Sequence, residues 1–296
     1  MKKLYILLLI VAFSFTLQAQ HNVIYSQYFF SGMLINPAYA GSKKALDITG
    51  LYRSQWTGIE GAPCNISLSA HAPITNTKMA AGLLYLNNSF GLTTENKISA
   101  TYSWTSRLGS GELSFGAQAG LVAIRHNWAA AQTTQAEDPV FAGNMQKSKA
   151  AEFGAGTYYS NARFFAGLSS PALYRTEKGY SLSDSPVMFY AGGLLNLNED
   201  LRLKPAVLVK YLSNSPVETD LTATVYWKEV IGVGLGYRTN DAVYAFFDLQ
   251  LNEQAHLGYC YDYTVSALRS HSNGSHEVML RYLFSYKVKS KSPRFF

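Results

Sequence analysis

The feature that most limits how this chain can fold is alternation. From about residue 45 onward, apolar and polar residues exchange places at nearly every step, the period of two that marks a strand with one apolar and one polar face. Ile98, Ala100, Tyr102 and Trp104 share one side of such a run, and Lys97, Ser99, Thr101, Ser103 and Thr105 the other. In the next run Leu113, Phe115, Ala117, Ala119 and Leu121 oppose Ser114, Gly116, Gln118 and Gly120, with the turn-forming Gly109-Ser110-Gly111 between them. About fourteen runs of this kind follow one another. Their starts fall near residues 45, 64, 79, 93, 112, 151, 163, 186, 201, 219, 230, 242, 255 and 276. Several links are short, such as Thr239-Asn240-Asp241 and Asn252-Glu253-Gln254, whereas 128–150, 170–185 and 265–275 are longer. Short links between neighbours mean antiparallel hairpins, and short turns alternating with longer loops are the asymmetry of bacterial barrels.

The two faces then say which medium surrounds the sheet. The polar side is mostly Ser, Thr, Gly and Gln, and only 15% of the chain is charged, against about 25% in an ordinary soluble domain. Tyr52, Trp104, Trp227, Tyr237 and Tyr263 stand near strand ends on the apolar side, where amphipathic rings favour a membrane interface. A soluble sandwich also alternates, but it puts its polar face into water and carries more Lys and Glu there. The expected fold is therefore an all-β transmembrane antiparallel β-barrel of about 14 strands, closed because lipid does not tolerate open edges.

The segments outside the strands divide the chain. Lys2 and Lys3, the apolar run Leu4 to Phe13 and the small and polar residues up to Gln20 have the layout of a signal peptide, 1–19. That apolar run falls short of the roughly 20 residues a spanning helix needs. Residues 20–44 form an N-terminal periplasmic or plug segment, whose Tyr28-Phe29-Phe30 needs cover into or under the barrel. The barrel covers 45–286, and 287–296 is a short basic tail with Lys287, Lys289, Lys291 and Arg294. The bacterial outer membrane and its lipid are the expected surroundings.

Chemistry-bearing patterns are sparse. The chain has no Walker phosphate loop, zinc-binding His-Glu-x-x-His or Gly-x-Ser-x-Gly elbow. Gly232, Gly234 and Gly236 recur every second residue, which suits a strand with a small inner face and not a nucleotide loop. The net charge of +6 forms no basic stripe with stacking aromatics, so nucleic acid is not an expected partner. His271 and His276 flank a Ser/Asn/Gly loop without cysteine, a poor zinc site. No catalytic residue, metal or cofactor is expected, nor is an enzyme. Asp248, His256, Asp262, Glu277 and Arg281 form a candidate polar network on the lumen wall. By alternation Cys64 lies on an apolar face and Cys260 on a polar one, and both are expected as free thiols.

One stretch carries more than pattern. Gln27-Tyr28-Phe29-Phe30, followed by Leu34-Ile35-Asn36-Pro37-Ala38-Tyr39-Ala40-Gly41, resembles the opening of the PorP/SprF family. Arg53-Ser54-Gln55-Trp56 with Gly61-Ala62-Pro63, and the ending His276-Glu277-Val278-Met279-Leu280, are similar to later family blocks. Ser31-Gly32 stands where that family carries an Asn. The resemblance implies a type IX secretion outer-membrane barrel of Bacteroidetes. Its implied partners are large adhesin-like cargo with a C-terminal sorting domain and other secretion components, some periplasmic, with a link to gliding motility. It marks Gln27, Asn36, Pro37, Ala38, Tyr39, Gly41, Arg53, Gln55 and Trp56 as signature residues, structural or partner-contacting. A channel for small solutes is the alternative.

Overall fold

The computed structural model describes residues 25–75, 77–128, 146–176, 184–213 and 215–284. The expected signal peptide and basic tail lie outside the described residues. The strands are β1 (Leu46–Ser54), β2 (Cys64–Pro73), β3 (Met79–Phe90), β4 (Thr93–Leu108) and β5 (Gly111–His126). They continue with β6 (Gln146–Ser160), β7 (Phe164–Arg175), β8 (Val187–Gly193), β9 (Leu195–Asn196) and β10 (Leu201–Tyr211). The last five are β11 (Glu218–Trp227), β12 (Ile231–Arg238), β13 (Ala242–Gln250), β14 (Ala255–Thr264) and β15 (Ser275–Phe284).

Each strand pairs antiparallel with its neighbour in sequence, except that β8 and β9 both pair with β10 and not with each other. The β1–β15 ladder, which sets Leu46 against Phe284 and Ser54 against His276, closes the ring. Both β8 and β9 lie along β10, so they are one stave interrupted at Leu194, and the barrel has 14 strands. Closure leaves no edge whose backbone groups would face lipid unpaired.

Two details depart from the alternation reading. β6 begins at Gln146, ahead of the expected 151, because Gln146-Lys147-Ser148-Lys149 is polar on both faces and shows no period. It pairs with Ile124–His126 all the same. Pro171 interrupts the β6–β7 register between Phe153 and Ala155, since proline has no N–H to give the ladder.

The connections differ at the two ends. At one end they span two to five residues, as at 109–110 and 74–78. At the other they include 55–63, 127–145 and 265–274. In bacterial barrels the short turns are periplasmic.

The apolar side of the strands faces out. Leu121, Leu235, Leu280 and Leu83 are 59–65% exposed, a continuous apolar surface that water would not tolerate on a monomer and that lipid matches. Tyr52, Tyr237 and Tyr263 ring the long-loop end of this belt, and Trp104 and Trp227 the short-turn end. Cys64 shares the outward side with Ile66, whereas Cys260 is fully buried inside, and both are free. The core lies within the lumen. It is built on Tyr25, Tyr28, Phe30, Met33, Leu34, Ile35, Ala38 and Tyr39 from the segment that precedes β1.

Candidate functional site: the plugged lumen

Residues 25–44 run lengthwise through the barrel. Ser26 lies against Arg53, Asp262 and Glu277 near the long-loop end, and Gly41 lies against His71, Pro73 and Ala80 near the short-turn end. A buried segment without regular structure must still satisfy its backbone, and here the wall does so. Ser169 Oγ donates to Ile35 O at 2.6 Å, and Ser103 Oγ donates to Ala40 O at 2.8 Å. The Gly41 N–H donates to His71 Nδ1 at 3.1 Å.

The Asn36–Gly41 block explains its own residue types. Asn36 is extended, and its Oδ1 accepts the Ala38 N–H at 2.8 Å, capping a single 3-10 turn over Pro37–Tyr39. Pro37 occupies the first turn position, where a missing N–H costs nothing. Asn36 Nδ2 donates to Thr157 O on β6 at 2.8 Å and pins the turn to the wall. Tyr39 lies edge-on to His71 and Tyr158, with ring centroids 5.6 and 5.5 Å away. Gly41 turns the chain at φ +80, which disfavours any side chain, and the space a side chain would need is held by Ala80.

The wall is carved to receive this block. Gly116 on β5 and Gly156 on β6 are directly opposed. A β-carbon on Gly116 would run into the backbone of Pro37 and Ala38, and one on Gly156 into the Asn36 side chain. Gly82 likewise admits Met33, and Gly258 admits Gln27. The glycines of β12 do different work: Gly234 and Gly236 make room for the rings of Phe246 and Tyr244 on the adjacent strand.

Toward the long-loop end the segment is held by buried charge. Arg53 Nη2 lies 2.7 Å from Asp262 Oδ2, and its Nη1 lies 3.1 Å from Glu277 Oε2. Arg238 reaches Asp220 at 3.0 Å, Asp241 at 3.2 Å and Asp262 at 3.4 Å. Ser26 sits between the two guanidiniums. Its Oγ donates to Asp262 at 2.7 Å and accepts from Arg53 and Arg238, each at 3.0 Å. The N–H groups of Ser26 and Gln27 donate to the two Glu277 oxygens at 2.9 and 2.8 Å. Arg53 and Glu277 are at most 1% exposed, so their attraction acts at low dielectric.

Two further networks line the wall. Asp47 pairs with Arg281 and lies 3.7 Å from His71, in the field of the buried Lys43. On β4 and β6, Lys97 pairs with Glu152, which Arg175 also reaches at 2.6 Å.

The five residues expected on the lumen wall all point inward and are buried, but they do not form one network. Asp262 and Glu277 join the Arg53 cluster, while Arg281 joins Asp47 and lies in the field of Asp248, which is 3.6 Å from His256 Nδ1. Of the signature residues, Gln27 meets Arg53 through Glu277. Gln55 and Trp56 lie far from the Asn36–Gly41 turn, in the 55–63 connection, where the Trp56 N–H donates to Ser275 Oγ at 3.0 Å. Arg238, Asp220, Ser26 and Lys204, whose Nζ lies 5.5 Å from the Phe29 ring centroid, are not among the residues expected from the sequence. Alternation places Asp220 with Thr222 and Arg238 with Gly236, which is the signal that finds them. Among the described residues no group of His, Cys, Asp and Glu is arranged to hold a metal.

A closed fourteen-strand barrel with an apolar outer belt, interfacial aromatics and a lumen filled from its own chain defines an outer-membrane β-barrel. The family model for the type IX secretion system membrane protein PorP/SprF matches residues 17–282, and the chain belongs to that family. Membership sets it among the other components of that secretion system. Among solved structures it is similar to the CymD monoaromatic hydrocarbon channel, at 10% identity over 86% of this chain and 92% of that one, with a TM-score of 0.50. Omp33 of Acinetobacter baumannii aligns at 7% identity over 81% and 98%, with a TM-score of 0.49. The KdgM porin aligns at 10% over 81% and 99%, with a TM-score of 0.38. Identities this low speak to fold alone. No curated protein matches the chain.

Proposed function

We propose that this barrel assists the secretion or surface anchoring of large adhesin-like cargo bearing a C-terminal sorting domain, in a system that also serves gliding motility. The observation that carries the reading is the match of a type IX secretion family model to residues 17–282. The lumen supports it. A channel for small solutes keeps its wall wet, yet here Asn65, Ser67, Ser69, Ser99, Thr101 and Ser103 are buried, and Ser69 and Ser103 bond Ser31 and Ala40 of the N-terminal segment. A barrel filled in this way is better suited to presenting surfaces than to passing solutes.

The test is deletion of the gene followed by measurement of adhesin on intact cells, with the barrel restored from a plasmid. Lost display that returns on complementation is expected. Unchanged display in the deletion strain would overturn the secretion role.

A further inference from the structure

The short-turn mouth of the barrel holds a cavity of about 440 Å3, within the size range of ligand sites. Lys44, Lys78, Arg107 and Glu112 line it, and Gly41 and Ala80 form its floor. Arg107 and Glu112 are cross-strand partners in the β4–β5 ladder. The Glu112 carboxylate, however, is taken by Lys44 at 2.8 Å. Arg107 therefore stands opposite an anion already in use. Lys78 is close by: its carbonyl accepts the Thr105 N–H at 2.7 Å, two residues from Arg107. Neither Lys78 nor Arg107 makes an ion pair among the described residues, and both are exposed.

We propose that this mouth is a binding site for an extended acidic peptide segment of a periplasmic protein, with Lys78 and Arg107 as its carboxylate-binding residues. Strand parity argues against lipid. Arg107 falls on the side of buried Ser103, the lumen face and not the belt that meets acyl chains, and Lys78, in the turn just before β3, lines the same cavity. The plug argues against a passing solute, because Gly41 packed on Ala80 closes the floor. A chain entering from the aqueous side meets two cations that make no ion pair among the described residues, and the apolar edge of Pro73 and Met79. A cleft with an excess of one sign also concentrates its counter-charge. The site rests on the chemistry of the mouth and is independent of which cargo the barrel serves.

The full chain, folded in neutral detergent, is titrated against fluorescein-labelled decaglutamate and read by anisotropy. Wild type is expected to bind at low salt and to weaken as salt rises. Lys78→Glu with Arg107→Glu should weaken binding by about tenfold or more, the scale of one lost charged hydrogen bond. Heat-modifiable migration should be unchanged. If the reversal does not fold, Lys78→Gln with Arg107→Gln carries the same expectation. Absence of binding by wild type, or equal binding by the variants, overturns the site. Displacement of the peptide by phosphatidylglycerol vesicles also overturns it, in favour of lipid. None of these results bears on adhesin display, so the two readings fail separately.

Discussion

Gly116 and Gly156 stand directly opposite each other on neighbouring strands, and the gap they leave is filled by Asn36, Pro37 and Ala38. The obstacle a side chain at Gly116 would meet is backbone, which cannot rotate aside. Gly116→Ala should therefore cost about 1–3 kcal/mol, the range for forcing atoms into a filled interior. Urea unfolding in detergent, followed by tyrosine fluorescence, measures it. Gly50→Ala is the control, since its nearest foreign atom, Leu280 O, is 4.0 Å away. Equal stability of the two variants would show that the turn does not depend on the glycine gap.

Arg53 is the hub of the clamp on Ser26. Removing one member of a buried ion pair leaves its partners charged and unsolvated, at about 3–5 kcal/mol. Arg53→Met should fall in that range. Arg53→Met combined with Glu277→Gln should cost less than the sum of the two single changes, because the orphaned carboxylate is gone. A double-mutant cycle in urea reads the coupling. Strict additivity would mean that the two side chains do not interact as their 3.1 Å separation implies.

Much of this was legible from the sequence, and the limits are physical. Strand existence and facing were visible because parity is a local property: Leu235 and Gly234 announce their sides without any knowledge of the partner strand. The head of β6 was hidden because Lys147 and Lys149 carry no apolar contrast with Gln146 and Ser148. The path of the plug was hidden for a different reason. Ser26 and Glu277 are 251 residues apart, and no local period encodes such a contact. The Asn36–Gly41 block could be recognised by resemblance, yet its seat between Gly116 and Gly156 required the ladder register. Asp262 and Arg281 share an inward face, but strand level sends them to separate networks.

The outward belt makes its own prediction. Leu235 lies mid-strand on β12 and is 64% exposed. On a water-facing sheet, Leu235→Arg would be nearly neutral. In a bilayer, a charge on the lipid face near the midplane costs about 2–4 kcal/mol. Folding into vesicles should therefore be impaired by Leu235→Arg and scarcely altered by Leu235→Phe. Equal folding of both variants would remove the lipid assignment of this face.

The last prediction concerns what the plug closes. Behind it the wall is Ser, Thr, Gly and charged residues, a surface that water would readily enter once the segment left. Asn36 is the strongest single tie toward the short-turn end. It caps its own turn and bonds Thr157 O, so Asn36→Ala loses both interactions. The N–H of Ala38 then goes unpaired, at about 1–3 kcal/mol, and Thr157 O loses its side-chain donor while Thr157 stays in the β6 ladder. Part of that cost vanishes if the segment lifts away and the Ala38 N–H meets water. The variant should therefore populate states in which the segment has loosened. In planar bilayers wild type should be nearly silent, and Asn36→Ala should show discrete openings. Gln27→Ala, which removes the Gln27 Nε2 bond to Glu277 O at 3.3 Å near the other end, should add to their frequency. A steady conductance already present in wild type would mean that the N-terminal segment is no barrier and would restore the solute-channel reading. Silence in the double variant would mean that the Ser26 clamp and the apolar residues suffice to hold the segment, with Ser26, Tyr28 and Met33 the next to be changed.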